Sequence, residues 1–285
     1  MELGLGDASA RSIQQADEEA AQPSAHRNLE APVQLWNEAL MKSLFPNGLV
    51  VETMVVATSP PGCALIRSLP GKQLLGSLHL PEVPAAGNAA LPSCGGVGDR
   101  SCLMWSWASE GVPLLLVACQ YAVKPERAHA VALALMERVC PKQLLVLCSL
   151  GAGQLAGCGH VDESQAAGVF HLETECSSSS STVQLGAAAA SQETLPLPPG
   201  IVLSGLPAAL TTYCQIRNMH AHVLVHLEAA PGSAGPAVSA LASGACRLLS
   251  MGTTRGLGIA LTNPDAHKAA CKALLVKAEL HAVYT

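Results

Sequence analysis

The chain has 285 residues, a formal net charge of −5, 49% apolar residues and only 13% charged ones. That length allows one large domain or two small ones with a sizeable core, and an aromatic content of 3% means the core is built from Leu, Val and Ala. The acidic balance argues against nucleic acid as the main partner, because phosphate binding needs a basic footprint. The longest apolar run, residues 112–123, is too short to cross a bilayer, which takes about 20 residues.

Residues 1–31 are polar, acidic and Ala-rich, with Asp17-Glu18-Glu19; they lack apolar periodicity and read as a disordered arm. They hold no apolar stretch of secretory-signal length, so a soluble protein is expected. Residues 32–285 read as a single α/β domain. From Pro32 the spacing of Leu35, Ala39 and Leu40 predicts a short helix, ended by the turn residues Phe45-Pro46-Asn47-Gly48. The β-branched stretch 49–58 reads as a strand. Residues 81–99, rich in Pro, Gly, Ala and Ser, read as a flexible insertion, and 103–107 as a strand. The continuous apolar run 113–121 is the pattern of a strand buried on both faces. Pro125 suits the first turn of a helix striped by Val131, Leu135 and Val139 and stopped by Pro141. Residues 144–150 follow as another buried strand, which completes a parallel βαβ unit. Residues 176–199, with five consecutive serines and four alanines, read as a second flexible insertion. A second βαβ unit is then expected: strand 201–204, a helix from Pro207 with Leu206, Leu210 and Tyr213 on one face, and strand 221–227. Two helices close the chain. The first covers 236–250, with Val238, Leu241, Ala245 and Leu248 inward. The second starts at the cap Asn263 and Pro264, with Asp265 complementing the dipole, carries Cys271, Leu274, Leu275 and Ala278 inward, and ends at Leu280. Residues 281–285 are expected to project as a tail. The expected fold class is α/β, with a mostly parallel central sheet built from βαβ units and flanking helices.

Candidate chemistry is sparse. Gly151, Gly153, Ala156 and Gly157 fit a dinucleotide fingerprint after a strand, with Glu173 or Glu175 as the acid that would hold a ribose. In a chain with 25 glycines the pattern arises easily and is read here as a plain turn, leaving a nucleotide-binding enzyme as the alternative. His220, His222 and His226 alternate along one strand, but the outer two lie about 20 Å apart at ~3.3 Å per residue, too far for one ion; they read as the solvent side of an edge strand or a partner interface. The eleven cysteines include no Cys-x-x-Cys pair, and several, such as Cys119 and Cys148, sit in apolar runs. They read as buried thiols in a reducing compartment. No nucleophile elbow, P-loop or His-Glu-x-x-His occurs, so no catalytic residue, metal or cofactor is expected, and the chain is read as a non-enzyme.

The ending Val283-Tyr284-Thr285 has its own logic. An apolar side chain fills a groove, a phenol offers a large apolar face with one polar handle, and a terminal carboxylate can pair with a lysine. This ending resembles the hydrophobic-tyrosine-any (HbYX) motif with which activators and chaperones dock between α-subunits of the 20S proteasome. The segment Leu206-Pro207-Ala208-Ala209-Leu210 followed by Tyr213-Cys214-Gln215 resembles the corresponding segment of the proteasome assembly chaperone 1 family. Residues 119–141, with Cys-x-Tyr-x-Val and then Cys140-Pro141, and residues 248–256 are similar as well. The likeness covers residues 112–150 and 201–285; upstream it is one of layout. It implies an α/β sandwich that pairs with proteasome assembly chaperone 2. The pair would sit on the outer face of the α-ring, promote ring assembly and block ring dimerisation or premature activator binding, with Val283, Tyr284 and Thr285 as docking residues. It implies a cytoplasmic location, allows a nuclear one, and gives no role to nucleic acid or membrane.

Overall fold

Strands whose central residues are buried on both faces need cover on both sides. Four such strands form the centre of this protein. In the computed structural model, which describes residues 29–46, 48–83, 102–109, 112–151, 169–174, 194–228, 234–249 and 255–284 (275–284 as backbone), β2 (Leu49–Ala57), β5 (Val112–Cys119), β6 (Val139–Gly151) and β9 (His220–Glu228) lie side by side and parallel, in the order β5-β2-β6-β9. Leu114 to Cys119, Thr53 to Ala57, Leu144 to Cys148 and Val223 to Leu227 are all buried.

Antiparallel strands extend the sheet on both sides. β4 (Cys102–Ser109), β3 (Gln73–His79) and β1 (Val33–Trp36) add beyond β5. β7 (Val169–Glu173) adds antiparallel to β9, and β8 (Thr194–Pro196) adds parallel to β7. The α/β class holds, and the sheet of nine described strands is mixed, with a parallel centre and largely antiparallel flanks.

Helices cover both faces. One face carries α1 (Glu38–Leu44), α3 (Pro125–Glu137) and α4 (Gly205–Ile216), packed through Val131, Leu135, Leu206, Leu210 and Cys214. The other carries α2 (Pro60–Ser68), α5 (Ala234–Leu249), α6 (Arg255–Leu261) and α7 (Pro264–Tyr284), packed through Leu65, Ile66, Val238, Leu241, Leu257 and Ala270. The chain divides into two units, Met1–Ala31 and Pro32–Thr285, and this architecture is that of the second. The expected disorder of the acidic arm and of the two insertions falls almost wholly outside the described residues.

Several expectations are corrected. The helix expected from Pro32 is the strand β1 followed by α1: Val33-Gln34-Leu35-Trp36 alternates and pairs with β3. The Asn37 side chain then caps α1 by accepting from the Leu40 N–H at 3.1 Å. Pro141 lies inside β6 and does not stop α3, which ends at Glu137 with Arg138 as its cap. Pro141 is tolerated there because pairing with β9 begins only at Gln143, so its missing N–H is not needed on that side. Residues 201–204 are not a strand; they lead into α4, and Ile201 and Leu203 pack on the core as irregular chain. The strands β5 and β6 are parallel as expected, but β2 lies between them. Residues 194–196, expected within a flexible insertion, form β8.

The edge is held by close approach. Gly76 of β3 sits between Trp36 of β1 and Met104 of β4. A Cβ on it would press into the Leu35 carbonyl oxygen and lie 3.1 Å from the Trp36 ring. Trp36 Nε1 donates to Gln34 Oε1 at 2.7 Å, and Gln34 Nε2 donates to the Ala134 carbonyl of α3. Gly76→Ala is therefore expected to displace β1 and destabilise the protein by about 1–3 kcal/mol, the usual penalty for forcing a methyl into packed structure, as read by urea unfolding.

Candidate functional site

The expected docking residues stand at the end of α7. Asn263 starts this helix, its Oδ1 accepting from the Asp265 N–H at 2.8 Å, with Pro264 in the first turn where no N–H is needed. Ala266 and Ala270 are fully buried, which lets the helix lie close on the sheet's helical layer, and Cys271 and Leu274 are half-buried beside them. The helix does not end at Leu280: its backbone continues through Tyr284. Val283 and Tyr284 thus belong to the last helical turn and not to an extended tail; Thr285 lies outside the described residues. At 1.5 Å per residue, ten residues past Leu274 carry the helix about 15 Å further.

A crevice opens at the carboxyl ends of the parallel strands. From β2 the chain passes to α2 on one face, and from the neighbouring β5 it passes to α3 on the other. Two adjacent parallel strands whose connections leave on opposite faces part at their tips, the usual place for a ligand crevice in an open α/β sheet. The cavity has a volume of about 220 Å³ and is lined among others by Thr58, Cys119, Tyr121, Ser149 and Gly205. Its Cys148 thiol is a poor nucleophile candidate: burial pushes it up to about 12, and only the thiolate attacks. The Tyr121 phenol is likewise held protonated by burial and by the nearby Cys102 and Cys119.

The nucleotide reading loses Glu173, one of its two candidate acids. Gly151 is the last residue of β6 and pairs with Glu228, whereas Glu173 sits opposite His222, at the other end of β9. Six residues along a strand separate the two positions, about 20 Å. The antiparallel β7/β9 pairing also departs from the βαβ unit that such a fingerprint requires. Gly153, Ala156, Gly157 and Glu175 lie outside the described residues.

The three histidines of β9 are placed differently from the expectation of an edge strand. β9 is an interior strand between β6 and β7. His226 is 2% exposed, and its Nδ1 has no hydrogen-bond partner among the described residues. His222 meets not its neighbours on β9 but β7. It lies opposite Glu173 and diagonal to His171, with His171 Nε2 3.1 Å from its Nδ1. His171, Glu173 and His222 each offer one donor atom within 4.8 Å of the others. Sequence reasoning missed this trio because residues 169–173 were not read as a strand. The signal was present in Val169, His171 and Glu173 at period 2, opposite the alternating histidines of β9. Burial lowers the imidazole of His222 to about 4, helped by the charge of His220, and also lowers those of His171 and His226.

No family model matches the chain, and no curated protein sequence matches it. Solved structures do. A protein of unknown function from Thermoplasma acidophilum is similar at a TM-score of 0.60 and 11% identity, covering 87% of this chain and 93% of that one. PbaB of Pyrococcus furiosus, an archaeal proteasome activator, is similar at 0.57 and 11% identity, over 90% and 100% of the two chains. PbaA of the same organism, an archaeal homolog of proteasome-assembly chaperone, is similar at 0.53 and 10% identity, over 90% and 92%. The chain therefore shares the fold of these proteins over most of its length.

The imidazole shifts give a pH dependence with a definite sign. A histidine whose folded pKa lies below its unfolded value of 6.5 binds fewer protons when folded, so stability rises with pH. The contribution is complete above about pH 6.5 and is lost as pH falls toward about 4, the value for His222. Unfolding in chelator-containing buffer is expected to become easier across that window. His226→Gln should show a shallower fall than wild type when urea midpoints are compared at pH 7 and pH 4.5.

Proposed function

We propose that this chain is a proteasome assembly chaperone of the chaperone 1 type. The observation that carries the reading is the fold shared over nine-tenths of the chain with an archaeal proteasome activator and an archaeal homolog of proteasome-assembly chaperone. The ending Val283-Tyr284-Thr285 supports it, because it has the residue types of a proteasome-docking motif. In this reading the chain pairs with proteasome assembly chaperone 2 in the cytoplasm. The pair binds the outer face of the α-ring, favours ring closure and blocks ring dimerisation or early activator binding, without a cofactor and without catalysis.

Physical reasoning supplies the mechanism. The α7 stem, rooted by Ala266 and Ala270, presents the docking residues at a fixed place. The last helical turn unwinds so that Val283 and Tyr284 enter a cleft between α-subunits and the Thr285 carboxylate meets a lysine at its rim. Ordering that turn in a new conformation costs free energy, so one tail binds weakly. Two tails on one rigid heterodimer act at high effective concentration and together bind firmly. Release then requires only that ring maturation change the spacing of the pockets, with no ATP.

The test uses the full chain tagged at its N-terminus, since a C-terminal tag would mask the carboxylate. Tyr284→Ala is expected to weaken binding to α-rings by at least about 10-fold, the scale of a buried aromatic anchor, and removal of residues 283–285 by as much or more. Unchanged affinity in both variants would refute the docking mechanism.

A further inference from the structure

On the side of β9 and β7 that carries Leu224, the strand pairing assembles a set of donors that no part of the proteasome reading uses. His171 and Glu173 are two residues apart on β7 and so share a face, and His222 stands directly across from Glu173. We propose that His171, Glu173 and His222 form a binding site for one divalent transition-metal ion of the zinc class, which clips β7 to β9.

The spacing of the donors suits such an ion, and without it the two rings stand at hydrogen-bond distance. A tetrahedral ion with Zn–N bonds of about 2.0–2.1 Å holds its two nitrogens about 3.4 Å apart; here they are 3.1 Å apart. The carboxylate of Glu173 reaches the same region, all three donors lying within 4.8 Å of one another. A His₂Glu set is neutral imidazole plus one negative oxygen, which suits zinc, cobalt or nickel; magnesium and calcium prefer oxygen alone. The ligand nitrogens must be unprotonated to bind, so the site favours neutral over acid pH. Glu173 is exposed, so the ion has a path from solvent and a fourth position open to water.

The surroundings are already fixed without an ion. Thr174, next to Glu173, is buried. Its Oγ1 donates to the Met219 carbonyl and accepts from the Ala221 N–H, both at 2.9 Å, while its own N–H donates to the Ala221 carbonyl at 3.0 Å. These bonds hold the end of β7 against the start of β9 and fix the registry of the ligands. An ion here would add a covalent-strength tie at the junction where the outer strands β7 and β8 join the parallel centre.

Full-length protein is stripped with chelator and titrated with Zn²⁺ by calorimetry, and Co²⁺ is used as a spectroscopic probe. The proposal expects one equivalent of Zn²⁺ bound. It also expects Co²⁺ d–d bands of a four-coordinate site without thiolate-to-metal charge transfer, which separates this site from the eleven cysteines. Glu173→Gln changes an exposed side chain and leaves the fold intact; it should weaken Zn²⁺ binding by at least about 10-fold, as should His171→Gln. His129→Gln, an exposed histidine on α3, should bind as wild type does. Binding unchanged in Glu173→Gln and His171→Gln, no stoichiometric binding, or a thiolate charge-transfer band would each overturn the site.

Discussion

The structure depends on the dry interior of its four parallel strands. Their backbone groups are satisfied only by each other, and their side chains point into apolar layers on both sides, so neither face can be left to water. β5, β2, β6 and β9 therefore dictate the sandwich: α3 and α4 must cover one face, and α2 and α5 to α7 the other. The same requirement explains the flanks. Where β1, β3, β4 and β7 continue the sheet, the pairing turns antiparallel. Where the connections of β2 and β5 leave on opposite faces, the sheet opens its one topological crevice among the described residues, beside Thr58 and Tyr121.

The proposed function is hung on the rim of this core. α7 packs through two alanines and the half-buried Cys271 and Leu274, and small residues let a helix dock closely with little side-chain entropy to lose. Its start is fixed by Asn263 and Pro264, while its far end continues well past the last described anchor. A stem held firmly at one end suits a segment that must find a partner's pocket without disturbing the core. Because the fold is shared with archaeal proteins of very different sequence, the backbone arrangement constrains the chain more tightly than the identity of surface residues. Function is accordingly argued from particular positions and not from the scaffold.

Much of the centre was legible in the sequence because a doubly buried strand is a plain signal. Residues 113–121 and 144–150 read as strands from apolarity alone, and Pro125, Pro236 and Pro264 marked helix starts because proline costs nothing in a first turn. What was not legible depended on partners distant in sequence. α2 opens with Pro60-Pro61-Gly62, which locally is turn chemistry, and is helical because Leu65 and Ile66 must cover β2. α6 contains two glycines within seven residues and forms because Leu257 and Leu261 are buried. β1 and β8 are short edge strands whose pairing, and not their propensity, defines them. The ending Val283-Tyr284-Thr285 proposed to dock was visible as residue types, but its helical backbone through Tyr284 was not, since no residue near Leu280 stops a helix. The His171–Glu173–His222 trio was hidden because His222 lies 49 and 51 residues from Glu173 and His171 and meets them only through the register of β7 on β9.

The central claim is that the end of α7 enters another protein, the proteasome α-ring. Placing a photo-crosslinking amino acid at position 282 of the otherwise intact chain and irradiating it in the presence of assembling 20S subunits tests this most directly. The account predicts crosslinks to α-subunits that are competed away by a free peptide ending in Val-Tyr-Thr. Crosslinks confined to the chain itself, with α-subunits present and unlabelled, would contradict it.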